Sequence, residues 1–142
     1  MAKEILRLAN SHKPVLAVET SGNLCSIALI LNKGEIYEAG IKAKNIHSEK
    51  IFSMIEFVLK SAATELKDIG AIAVSAGPGS FTGLRIGFSA VKGIAFGAGI
   101  PVAAVPTFEA MALNISTYYN SETKFAIANK VNISEFYYAC FS

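Results

Sequence analysis

The chain has 142 residues, 52% hydrophobic and 17% charged, apolar enough for one packed domain and too apolar for a disordered chain. Its formal charge is only +2, with the basic residues scattered, so no field argues for direct nucleic-acid binding and any RNA role is expected to be indirect. Arg85 and Lys92 interrupt the longest apolar stretch and no cleavable signal pattern opens the chain, so a cytoplasmic protein without membrane contact is expected.

Residues 1–13 read as an N-terminal extension of weak helical character, with no function assigned. VLAVE, residues 15–19, is a short apolar strand that stops at the turn Thr20-Ser21-Gly22-Asn23. CSIALIL is a second strand, Asn32-Lys33-Gly34 suits a hairpin, and EIYEAGIK alternates as a third strand should, which gives an antiparallel meander. Between Asn45 and Ala63, residues Ile51, Met54, Ile55, Val58, Leu59 and Ala62 recur at helical spacing on one face. Phe57 falls outside that arc, either as a stray exposed aromatic or as part of a docking surface. AIAVSA then has the continuous apolar character of a strand buried on both faces. A helix from Ser80 to Ala98, the strand PVAAV, a helix from Thr107 to about Tyr119 and two closing runs, KFAIAN and EFYYACF, complete the chain. The order βββαβαβα and then ββ predicts a mixed α/β sheet with helices on both faces. Cys25 and Cys140 sit far apart in strand-like runs and are expected to be buried reduced thiols, and no metal-ligand spacing occurs.

The stretch SAGPGSFTGLRIG, residues 75–87, resembles a phosphate-binding turn but fits neither common template. Thr82 stands where a third glycine of Gly-x-Gly-x-x-Gly would be, and no Lys-Ser/Thr pair follows. At 100° per residue, Gly79, Gly83, Gly87, Gly93 and Gly97 project within an arc of about 120°, with Ala90 near its centre. Four helix-interior glycines remove about 3 to 4 kcal/mol relative to alanine, from a net stability of about 5 to 15. Close approach of another backbone, from this chain's own sheet or from a partner's helix, is the expected compensation. Leu84, Phe88, Val91, Ala95 and Phe96 cover much of the remaining circumference, so burial on two sides is expected. At the start of the stretch, Gly77 and Gly79 permit close approach and Ser80 can cap a helix whose free N–H groups point outward. With Thr20 and Ser21 nearby, these residues make either an anion site or an ordinary strand-to-helix turn.

Three segments, LAVETSGNLCSIAL, IHSEKI and GPGSFTGLRIG...KGIAFGAGIPVAAVPTFEAMA, resemble the TsaB (YeaZ) family, in the Gcp-like branch of the actin, Hsp70 and sugar-kinase superfamily. The resemblance is close from Pro14 to about Leu113. It implies an RNase H-like, actin-type first lobe over residues 14–106, followed over residues 107–142 by a linker helix and the first hairpin of a truncated second lobe. It also implies a dimerisation and scaffold subunit that pairs with TsaD and works with TsaE to install threonylcarbamoyl on tRNA adenosine, with the chemistry carried by TsaD. The family's pairing surface uses its first two helices. Here these are about Asn45–Ala63 and Ser80–Ala98, with Met54, Phe57, Val58, Gly83, Gly87, Phe88, Ala90 and Val91 as the expected interface. The glycine stripe makes a homodimer plausible when the partner is absent.

The resemblance also separates the chain from its catalytic relatives. The TsaD pattern places a His-x-x-x-His metal pair where this chain has Thr107 and Met111, neither of which binds a hard metal well. His47 is a single histidine at a helix start. Glu19 stands where the superfamily usually has an Asp for magnesium, and Asn129-Lys130-Val131 replaces the Asp-Ala-Arg common in TsaB-like chains. A second class remains open: an ATP-dependent phosphotransferase or hydrolase, with a weak ATP or ADP site holding magnesium at Thr20, Ser21, Gly77, Gly79 and Ser80. A metalloprotease is disfavoured by the missing histidine pair. The chain stops within the second lobe, so a fragment, a natural truncation or a partner-covered tail is expected, and no closed nucleotide cleft from this chain alone.

Overall fold

The computed structural model describes residues 13–32, 34–42, 47–120, 123–130 and 135–141, with the side chains of residues 47–49 outside that description. The expected helix start at Asn45 and the leader up to residue 12 therefore fall outside the described residues, as does the side chain of His47.

Strands β1 (Val15–Glu19), β2 (Leu24–Ile30) and β3 (Ile36–Lys42) form the meander that the Asn32–Gly34 turn called for. Gly34 takes φ +81°, a conformation that favours glycine. Helix α1 (His47–Ser61) and a single 3-10 turn at Leu66–Asp68 lead to β4 (Ala71–Ser75). Helix α2 (Phe81–Ala98) leads to β5 (Val102–Val105). The five strands form one mixed sheet in the order β3-β2-β1-β4-β5, with β1, β4 and β5 mutually parallel, as expected of an RNase H-like lobe. Helix α3 (Thr107–Ser116) and an antiparallel hairpin of β6 (Phe125–Lys130) and β7 (Phe136–Phe141) follow. The last helix ends three residues before the expected Tyr119, in a turn that starts at Thr117.

The period of two along each strand decides where the core lies. Leu16, Val18, Cys25, Ile27, Leu29, Ile72 and Val74 all point to one face. They bury there against Ile51, Met54, Ile55 and Val58 of α1 and Ala90, Val91 and Ala95 of α2. A separate small cluster, Phe108, Ala112 and Ile127, joins α3 to the hairpin, with Phe125 and Phe141 stacked at 5.8 Å.

Among the described residues, α1 and α2 lie on the same face of the sheet. The crossover from β3 to β4 and the crossover from β4 to β5 step across the sheet in the same direction. Right-handed connections that step the same way put their helices on the same side. The expectation of two buried thiols holds only in part, because Cys25 is buried and Cys140 is exposed. A two-strand hairpin has one face against α3, and Cys140 is not on it.

Candidate functional site

Two surfaces meet at α2. The first is the turn where β1 hands over to β2 beneath the start of α2. Glu19, expected in a magnesium-shell position, instead turns its carboxylate back to accept the N–H of Ser21. Thr20 N–H donates to Ser75 Oγ at 3.2 Å, which ties the turn to β4. Ser80 N–H donates to the Ser21 carbonyl at 2.6 Å, and Ser80 Oγ accepts the Gly83 N–H at 3.2 Å as the cap of α2.

The glycines are explained by this turn. A Cβ on Gly79 would collide with the Ser21 carbonyl, one on Gly83 with the Thr20 carbonyl, and one on Gly87 with Thr20 Oγ1. At Gly93 and Gly97 a Cβ would meet nothing within 4 Å. Of the two compensations expected for the bare stripe, close approach within this chain is therefore the one found, to its own backbone at Gly79 and Gly83 and to the Thr20 side chain at Gly87. The helix wheel places all five glycines at similar angles, but the Thr20–Ser21 segment crosses only the first two turns of the axis.

Of the five residues expected at an anion site, Ser21, Gly79 and Ser80 line a cleft of about 450 Å³, together with Gly22, Asn23, Thr82, Asn129, Lys130 and Tyr137. Thr20 does not: it is fully buried, and its hydroxyl oxygen, without a hydrogen-bond partner, lies against Gly87. Gly77 does not either. Its N–H donates to Thr107 Oγ1 at 3.2 Å and its carbonyl accepts the Thr107 N–H at 2.8 Å. The peptide bond between Gly77 and Pro78 is cis. The cleft thus offers hydroxyls, amides and one lysine. Among the described residues no group of three or more His, Cys, Asp or Glu could hold a metal ion, and Glu19 is already engaged by Ser21. The donor set suits an anion and supplies no carboxylate shell for magnesium.

The second surface is the groove between α1 and α2, of about 480 Å³, lined by Ile51, Phe52, Thr82, Arg85, Ile86, Ser89 and Ala90. Phe52 and Phe81 stand 56% and 74% exposed at its margins, and the Arg85 guanidinium lies 5.4 Å from the centre of the Phe81 ring. Among the residues expected to face a partner, Phe57 is 61% exposed. Met54, Val58, Ala90 and Val91 belong to this chain's own core, Phe88 is half-buried against it, and Gly83 and Gly87 are covered by Thr20. The periodicity that singled these residues out reports burial, and this chain's own sheet supplies it.

Sequence reasoning missed Phe52, Phe81 and Arg85 as a surface, although Phe52 and Phe81 are large apolar residues outside the buried arcs. It also missed Thr107 as the clasp on Gly77, for which a helix-start threonine directly after Pro106 was the available signal.

Residues 39–128 match the family described as "TsaD: tRNA N6-adenosine threonylcarbamoyltransferase". The Escherichia coli (strain K12) tRNA threonylcarbamoyladenosine biosynthesis protein TsaB is 35% identical over 125 residues, which cover 88% of this chain and 53% of that protein. The Haemophilus influenzae protein of the same description is also 35% identical, over 88% of this chain and 52% of its own length. The tRNA N6-adenosine threonylcarbamoyltransferase of Erythrobacter litoralis is 38% identical over 86 residues, 25% of its length. Among solved structures, YeaZ from Pseudomonas aeruginosa superposes with a TM-score of 0.80 at 31% identity, over 91% of this chain and 59% of that one. The chain spans about half the length of the curated TsaB relatives.

Proposed function

The chain belongs to the TsaB (YeaZ) family, with its Gcp-like fold, and on that premise we propose that it is a non-catalytic scaffold subunit of tRNA threonylcarbamoyladenosine biosynthesis. In this reading it pairs with TsaD through the α1–α2 surface, works with TsaE, and meets tRNA only through the complex. Residues 14–106 act as its first lobe, and residues 107–142 as a linker helix and the first hairpin of a second.

One observation carries the non-catalytic part. Where the catalytic relatives' pattern asks for a metal-binding histidine, Thr107 is 2% exposed and spends both its hydroxyl and its N–H on Gly77. That position holds the loop before α2 in place. The pairing part is supported by the exposed aromatics Phe52, Phe57 and Phe81 beside Arg85, an enrichment typical of protein interfaces. The test is co-purification with TsaD followed by a tRNA modification assay with TsaE, ATP and an added threonylcarbamoyl donor. A stable complex and no turnover by the isolated chain are expected. Failure to bind TsaD, with modification proceeding in its absence, overturns the reading.

A further inference from the structure

Among the described residues the two sheets have four edge strands, β3 and β5 on the larger and β6 and β7 on the smaller. An edge presents a row of unpaired N–H and C=O groups, which proteins guard with charge, proline or shortness. β3 carries Glu38 and Lys42, β5 has four residues between Pro101 and Pro106, and β6 ends on Lys130. β7, FYYACF, is six residues long with neither charge nor proline. Ala139 and Phe141 pack toward α3, and the period of two leaves Phe136 and Tyr138 exposed on the other face, Tyr138 by 74%. Three edges are guarded and β7 is not.

We propose that β7 is the docking edge for a second copy of this chain, the two β7 strands running antiparallel about a twofold axis so that the hairpins join into one four-stranded sheet. A strand edge is complementary to itself in this arrangement, because each copy's N–H donors face the other's carbonyls, as an isologous contact requires. Charge selects the same occupant and the same direction. The six residues bring no charge to the seam, and antiparallel order sends the two Glu135 residues to opposite ends, where parallel order in register would set them side by side. Paired residues share a face, so the twofold sets one residue opposite its own copy. With Tyr138 in that place, the two exposed tyrosines form a cross-strand aromatic pair and Phe136 faces Cys140 of the partner subunit. The seam uses none of Phe52, Phe57, Phe81 and Arg85, so it is separate from the surface proposed to pair with TsaD.

The test is sedimentation velocity on the full chain, raised to about 0.1 mM, beside Tyr138→Lys and Phe52→Asp. A dimer is expected for the wild type and for Phe52→Asp. Association about tenfold or more weaker is expected in Tyr138→Lys, which sets two lysines opposite each other at the axis. Cys140→Lys, on the same exposed face, repeats the test at a second position. Amide exchange reads the same seam: protection within residues 137–140 of the wild type is expected to rise about tenfold or more as the dimer fills. A monomer throughout, a dimer that both lysine variants leave unweakened, a dimer that Phe52→Asp alone dissolves, or protection at 137–140 that does not change with concentration overturns the proposal.

Discussion

The hydroxyl oxygen of Thr20 occupies the space that a β-carbon at Gly87 would need. This contact separates two kinds of glycine on one helix. Gly87→Ala forces Thr20 to move and is expected to destabilise by about 1–3 kcal/mol, as overpacking does. Gly83→Ala meets the Thr20 carbonyl, which cannot rotate away, and is expected to be worse. Gly93→Ala enters open space in a helix interior and is expected to stabilise by about 1 kcal/mol. Urea denaturation of the three variants checks the ranking, and a loss at Gly93 equal to that at Gly83 contradicts it.

Thr20 and Gly87 should also be energetically coupled. Because Thr20 Oγ1 is buried without a partner, Thr20→Ala gives up no hydrogen bond from that oxygen. In the double variant Thr20→Ala/Gly87→Ala the second methyl gains the space that the first truncation opens. A coupling of about 1 kcal/mol or more is expected in the cycle, and additivity within error means that the two groups do not touch.

The two thiols should behave differently. Cys25 is buried and Cys140 is exposed, so an aromatic disulfide reagent is expected to titrate one thiol in the native chain and two after denaturation. Burial, with a smaller push from the Glu19 carboxylate, raises the Cys25 thiol above its ordinary value near 9.0. The folded chain then holds that proton more tightly than the unfolded one. Its stabilising contribution is complete below the unfolded value and is lost as the pH climbs from there through the higher folded-state value. Stability is expected to fall above about pH 9, and Cys25→Ala should flatten that part of the profile. A fall of equal slope in Cys25→Ala assigns the effect elsewhere.

The proposed pairing surface can be broken without disturbing the fold. Phe52 and Arg85 are surface residues beside the groove, so Phe52→Asp and Arg85→Glu are expected to leave the melting temperature nearly unchanged. Each is expected to weaken TsaD binding by about tenfold or more, as loss of an aromatic or arginine anchor does. Calorimetric titration measures both, and unaltered affinity in both variants moves the interface away from α1–α2.

How far the sequence could be read depended on whether the signal was local. Helical spacing placed Ile51, Met54, Ile55 and Val58 on one face, which the structure buries in the core. The turn at Asn32–Gly34 and the cap at Ser80 were legible from residue chemistry alone. The side of the sheet taken by α1 and α2 was not, because it follows from strand order and crossover direction. The candidate site was legible in part. Ser21, Gly79 and Ser80 meet as expected, yet the glycine stripe is divided by what crosses it, and periodicity carries no information about position along the axis. Thr20 and Gly77 left the site because tertiary partners, Gly87 and Thr107, claimed them.

The central claim is that this chain supports the tRNA modification without performing it. The direct measurement is threonylcarbamoyl transfer to tRNA from an added threonylcarbamoyl donor in mixtures of TsaD, TsaE and ATP, with and without this chain, beside the chain alone with the same donor. Product only when both TsaD and this chain are present is the predicted result. Product from this chain alone, or an undiminished yield when it is omitted, contradicts the account.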